Sequence, residues 1–149
     1  MVTSDQLKTK TGDLGEKLVA RYFRQNNSIV EESLDLFDRS KDMSIDGESC
    51  EVKTQQPWHK EQAFTVKPNQ LQKCLEVDRL IFVETPSKYN GNCVKLYEIP
   101  KDKRQTRVMR TSDNRTMHLY SKKHAILLTT ITDHGIIEQF RRYTMSTWR

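Results

Sequence analysis

No stretch of the chain approaches the roughly 20 consecutive apolar residues that a membrane-spanning helix needs. The polar, acid-containing start MVTSDQLKTKTGD also lacks the apolar region of a signal peptide. An intracellular protein, cytoplasmic or nucleoid-associated and without membrane contact, is therefore expected. Cysteine is scarce: Cys50, Cys74 and Cys93 form no CxxC pair and leave one thiol over, which argues against a disulfide framework or a zinc ribbon and for reduced, buried thiols. His118, His124 and His134 have no HxxxH or paired metal-ligand spacing, and His59 stands alone beside Trp58, so a histidine-based metal centre is not indicated either. No repeat, low-complexity run or linker divides the 149 residues. One domain is the expectation, and a chain of this length buries a core without staples.

Charge is present in quantity but unevenly placed. Residues 1–99 carry 14 Lys and Arg against 16 Asp and Glu, whereas residues 100–149 carry 11 against 4, so the net +5 comes from the last third. Cations gathered on one surface displace condensed counterions from a polyanion, so the asymmetry points to nucleic acid, with a solvated basic face as the alternative. Residues 101–123 hold eight of these cations against two aspartates and read as a basic loop or hairpin excursion. Lys101, Lys103, Arg104, Arg107, Arg110, Arg115, Lys122 and Lys123 form the pool from which phosphate contacts are expected. Such contacts position a polynucleotide without reading its sequence.

Along the chain, residues 1–11 read as a tail. Leu14, Leu18, Val19, Tyr22 and Phe23 then recur at helical spacing over residues 13–26. Glu16 lies about 20° from Phe23 around that helix, so its carboxylate borders the buried face. Residues 28–37 partly alternate as a strand would. Pro68 opens a helix, RLIFVE (79–84) reads as a strand buried on both faces, residues 94–99 and 125–131 as further strands, and residues 133–145 as a closing helix with Ile136, Ile137, Phe140 and Tyr143 inward. The simplest architecture is α/β (α+β): a central mixed β-sheet flanked by helices.

The informative segment is DMSIDGESCEVK, residues 42–53. Asp46-Gly47 is a strong signal for a two-residue hairpin turn, and it sets Ile45 against Glu48, Ser44 against Ser49, Met43 against Cys50 and Asp42 against Glu51. Opposed side chains have Cβ atoms about 4.5–5.5 Å apart, and Lys53 shares the face of Glu51 because strand period is two. Like charges directly opposite destabilise a sheet unless neutralised, and a hard divalent cation with oxygen ligands, Mg²⁺ first, is a natural neutraliser. Met43, Ile45, Cys50 and Val52 point to the other face, which makes the hairpin apolar on one side and charged on the other. An acid-x-Lys triplet alone arises by chance about twice in a chain this charged. Its weight comes from coincidence with the turn, the apolar face, Glu16 and the basic segment. Lys53 bridging both carboxylates as a structural ion pair is the alternative, and Asp35 or Asp38 is a rival to Asp42 under another register.

This segment resembles the catalytic hairpin of the PD-(D/E)xK nuclease superfamily, which includes restriction enzymes, Holliday-junction resolvases and small phage or intron-encoded endonucleases. The likeness covers residues 12–84: a helix with GDLGE bearing Glu16, the hairpin, then helix and strand. The proline of the family's name is absent before Asp42. Residues 85–149 match nothing in it, with residues 100–124 as a basic elaboration. The resemblance implies a restriction-endonuclease-like core and phosphodiester hydrolysis dependent on Mg²⁺, with Mn²⁺ as substitute. It implies that Asp42, Glu51 and the Val52 carbonyl hold the metal, with Glu16 assisting directly or through water. Lys53 would orient water or offset transition-state charge, and Gln55 would be an accessory at the scissile phosphate. The expected enzyme is a DNA endonuclease, site-specific or structure-specific, acting as a homodimer or higher oligomer. A non-cleaving nucleic-acid-binding module and an RNA-cleaving relative stay open.

Overall fold

In the computed structural model, which describes residues 3–32, 42–58 and 60–144, the first helix begins earlier than its apolar period. Helix α1 spans Ser4–Gln25 because Thr3 and Gln6 close a capping box: Thr3 Oγ1 accepts the Gln6 N–H at 3.1 Å and Gln6 Oε1 accepts the Thr3 N–H at 2.9 Å. The expectation of a tail is thus corrected over residues 3–11. The helix ends where predicted, with Asn27 in the left-handed region.

The hairpin forms as its turn chemistry dictates. Strands β1 (Val30–Glu32), β2 (Met43–Ile45) and β3 (Glu48–Gln55) run antiparallel in sequence, with Met43 against Cys50, Ser44 against Ser49 and Ile45 against Glu48. Asp46 and Gly47 have φ of 50° and 83°, the two left-handed residues of a type I′ turn. The rest of the 28–37 strand expectation, with Asp35 and Asp38, lies outside the described residues.

Strand β4 (Ala63–Val66), which periodicity did not reveal, precedes α2 (Pro68–Glu76). Then come β5 (Arg79–Glu84), β6 (Val94–Ile99), β7 (Arg107–Arg110), β8 (Thr116–Ser121), β9 (Ile126–Ile131) and α3 (His134–Thr144). The larger sheet has the order β1-β2-β3-β5-β6-β9, with β3 and β5 parallel and the other neighbours antiparallel. A parallel pair needs a crossover, which β4 and α2 supply. The basic segment is a hairpin, β7–β8, that joins β4 in a second sheet of order β4-β8-β7.

Two apolar layers result. On one face of the larger sheet Met43, Ile45, Cys50, Val52, Ile81 and Val83 pack with Leu18, Val19 and Phe23 of α1 and Phe140 of α3. On the other, Leu80, Phe82 and Ile99 pack with Phe64 and Tyr120 of the smaller sheet and Cys74 of α2, the Phe64 and Phe82 rings stacked at 4.4 Å. The three cysteines are free and buried. The mixed α+β class is the one expected.

Arg104 is placed differently from its expectation. It is buried, and its guanidinium donates to the carbonyls of Ile99, Cys74, Leu75, Val77 and Asp78, tying the end of α2 to the end of β6. Orphan carbonyls at a helix C-terminus are what a buried guanidinium satisfies best. It therefore leaves the phosphate-contact pool.

Candidate active site

Because β2 begins at Met43, the edge of β3 away from β5 has no strand beside it beyond Cys50 among the described residues, and Asp42 occupies that place. Its N–H donates to Cys50 O at 2.9 Å, and its Oδ2 accepts the Val52 N–H at 2.7 Å. The paired register ends at Met43 and Cys50, and beyond it the Asp42 carboxyl lies close enough to that of Glu51 for the two to share a hydrogen-bond contact. A residue's N–H and C=O project to the same strand edge, so the Val52 carbonyl points to the edge where Asp42 lies.

Strand alternation turns Glu51, Lys53 and Gln55 toward α2 and the smaller sheet. Glu51 is 2% exposed. Its Oε1 lies 3.4 Å from Lys53 Nζ and its Oε2 lies 2.7 Å from Lys73 Nζ, while Lys53 Nζ also donates to Gln70 Oε1 at 2.9 Å. Burial pushes the Glu51 carboxyl up to about 7; Asp42 adds to this through charge and a shared hydrogen-bond contact, and Lys73 opposes it. Burial works against the charge on Lys73, yet its contact with Glu51 and the field of Asp42 hold the ammonium above its ordinary range.

Glu16 comes to the same region from α1. The helix approaches β3 at Gly15, where a Cβ would stand 1.9 Å from Thr54 Oγ1, so only glycine permits this packing. The Glu16 carboxyl is raised to about 7, by burial first and then by Asp42, Asp13 and Glu51. Two raised carboxyls and Asp42 thus share one electrostatic environment beside a fixed cation.

Among the described residues, no three His, Cys, Asp or Glu side chains are grouped closely enough to hold a metal ion by themselves. The donor set that fits is smaller: the Asp42 and Glu51 carboxylates with the Val52 carbonyl. Mg²⁺ is commonly held by one or two carboxylates and keeps several waters, through which Glu16 could reach it. All these donors are hard oxygens, and the positive charge beside the two carboxylates comes from Lys53 and Lys73.

Gln55 differs from its expectation as an accessory at the reacting phosphate. Its amide is committed to β4, with Nε2 donating to Thr65 O at 2.9 Å and Oε1 accepting the Thr65 N–H at 2.8 Å. It clamps two strands together. Sequence reading missed Lys73 and Gln70. They stand three apart on α2 and so share a face, which the sequence does show; that this face meets β3 depends on the crossover.

The remaining cations of the pool divide by environment. Lys122 is largely enclosed, with Nζ 2.8 Å from the buried Glu84 Oε1 and 5.1 Å from the Tyr97 ring centroid, so it too is structural. Lys101, Arg107 and Arg115 stay at the surface in ion pairs with Asp78, Glu61 and Asp113, and Arg110 donates to Asn114. Lys103 and Lys123 are exposed. Trp58 forms an isolated bridge with Ala63 that folds the loop after β3. His118 contacts Thr106 Oγ1 through Nδ1 at 3.1 Å, His124 and His134 are exposed, and His59 lies outside the described residues. No helix is long and apolar enough to cross a membrane among the described residues.

Compared with known proteins, the chain matches no family model, no curated protein and no solved structure.

Proposed function

We propose that this protein is a metal-dependent nuclease that hydrolyses phosphodiester bonds in DNA. The observation that carries the reading is the nearness of the Asp42 and Glu51 carboxyls at the end of the β2–β3 hairpin, with Lys53 on the face of Glu51. The order of elements supports it: a helix bearing Glu16, three antiparallel strands, then, after β4, a helix and a strand parallel to the third accords with the PD-(D/E)xK resemblance.

Each residue has a task that follows from its place. Asp42, Glu51 and the Val52 carbonyl would hold a divalent cation. When bound, such an ion lowers the pKa of water and polarises a phosphoryl oxygen. Lys53, tethered by Gln70, offers a positioned cation to the charge that develops on the phosphate, and a fixed donor of this kind is worth about a hundredfold or more in rate. Glu16, with a carboxyl near 7, is suited to take or return a proton near neutral pH. Cutting both strands of a duplex would take two such sites, hence a homodimer or higher assembly.

The clasp of Glu51 between Lys53 and Lys73 favours a second reading, a nucleic-acid-binding module in which this ion-pair network is only structural. Cleavage of a panel of duplex, junction and single-stranded DNA, with RNA alongside, separates the two. Wild type should cut in Mg²⁺ or Mn²⁺ and stop in chelator, while folded Glu51→Ala and Lys53→Ala lose at least about a hundredfold. Binding without cutting by wild type under every divalent-ion condition would establish the module.

A further inference from the structure

Next to Lys53 the surface opens into a cleft of 820 Å³. The end of β3 lines it, together with α1 and α3 on one side and β4, β8 and the first turn of α2 on the other. Among the described residues every charged side chain that lines it is a lysine: Lys8, Lys53 and Lys67. This departs from the composition of the region that supplies them, since residues 1–99 carry more acids than bases. The other lining groups are amides, hydroxyls and a few apolar side chains, with the ring of Tyr143, near which Lys10 Nζ lies 5.9 Å from the centroid.

A basic groove with an aromatic platform is the combination that binds single-stranded nucleic acid: the cations track phosphates and the ring stacks on a base of any identity. The size agrees, because clefts of about 300–1,000 Å³ enclose drug-sized ligands, on the order of two linked nucleotides. A B-form duplex is engaged differently, by elements that protrude into a major groove about 12 Å wide, which a cleft with protein on both sides does not do. Lys53 lines the cleft and lies 3.4 Å from Glu51, so the cleft borders the carboxylate site.

We infer that this cleft binds a single-stranded polynucleotide, with Lys8 and Lys67 on its phosphates and Tyr143 under a base, and leads the strand to Asp42 and Glu51. The inference rests on the nuclease reading for what becomes of the strand, though not for its binding. The substrate class it names is a single-stranded end, flap or overhang.

The test is fluorescence anisotropy in chelator with labelled oligothymidylate and oligouridylate of about 12 nucleotides, and with a blunt duplex of equal length. The single strands should bind at least about tenfold more tightly than the duplex. Lys8→Gln/Lys67→Gln, at two exposed positions, should weaken binding about tenfold and reduce the slope of log affinity against log salt by about 1.4, at 0.7 per phosphate contact. Tyr143→Ala should lose fivefold or more. Lys17→Gln/Lys88→Gln, which removes the same charge elsewhere, should change binding less than twofold. Circular dichroism checks that each variant is folded. Absence of single-strand binding, equal affinity for the duplex, an unchanged salt slope in the Lys8/Lys67 variant, or loss through Arg110→Gln/Lys123→Gln instead would overturn the inference. Cleavage by wild type in Mg²⁺ is read separately: strand binding in the cleft without cutting keeps the cleft and removes the nuclease, and cutting with an unaffected Lys8/Lys67 variant does the reverse.

Discussion

Lys73 Nζ stands 2.7 Å from Glu51 Oε2, on the oxygen that Lys53 does not contact. The pair joins α2 to β3, and it supplies the positive charge that a divalent cation would otherwise bring. Among the described residues, removing Lys73 leaves the buried carboxylate with Lys53 alone, 3.4 Å away on the other oxygen. Lys73→Met is expected to lose about 2–4 kcal/mol in metal-free urea unfolding, somewhat below the cost of breaking a fully enclosed pair because Lys73 is 23% exposed. Millimolar Mg²⁺ should recover part of the loss in this variant and less in Lys73→Met/Glu51→Gln. Equal effects of Mg²⁺ on both would remove Glu51 from the metal-holding set.

Acidity should matter for the same reason. The Glu16 and Glu51 carboxyls are raised from 4.5 to about 7, chiefly by burial, so the folded protein keeps protons that the unfolded chain releases. Their stabilising contribution is complete below about pH 4.5 and is lost as pH rises through 7. Metal-free thermal unfolding should give a lower melting temperature at pH 8 than at pH 6 from these groups. Glu16→Gln/Glu51→Gln should flatten that difference. A double variant with the wild-type pH profile would show that these carboxyls ionise normally.

Gly15 sets how closely α1 approaches the hairpin. A Cβ there would lie 1.9 Å from Thr54 Oγ1, so Gly15→Ala must push the helix outward and should cost about 1–3 kcal/mol, with Glu16 carried away from Asp42. Thr54→Ala in the same chain removes the obstructing oxygen, which is buried and has no hydrogen-bond partner among the described residues, and should restore most of the loss. Urea unfolding of the two single variants and the double variant measures the coupling.

Two arginines of the basic segment should behave as opposites. Arg104→Ala removes the donor that satisfies five carbonyls and is expected to destabilise the fold by about 2–4 kcal/mol. Arg110→Ala, at an exposed position on β7, should change stability by less than about 0.5 kcal/mol. Chemical unfolding of both decides whether burial or charge governs their roles.

The elements that sequence reading recovered are those whose signal is local. Asp46-Gly47 specifies a type I′ turn through two left-handed residues, and the turn propagates a register that holds as far as Met43 and Cys50, next to Asp42 and Glu51. Pro68 opens α2, and RLIFVE is apolar enough to be read as a doubly covered strand. The start of α1 is also written locally, in Thr3 and Gln6, ahead of the apolar period that marks the rest of the helix. Strand β4 is only four residues long and gave no period to detect.

By itself, then, the sequence determined the mixed α+β class, the hairpin with its turn and register, and the concentration of cations toward the C-terminal end. Only the tertiary structure decided what each cation does: it enclosed Arg104 and Lys122, brought Lys73 and Gln70 to Glu51 and Lys53, and assembled a lysine-lined cleft from α1, β3 and α2. The reason is the range of the interactions. Turn and capping preferences act over a few residues, whereas a charge is completed by whatever partner the packing of distant elements brings within reach.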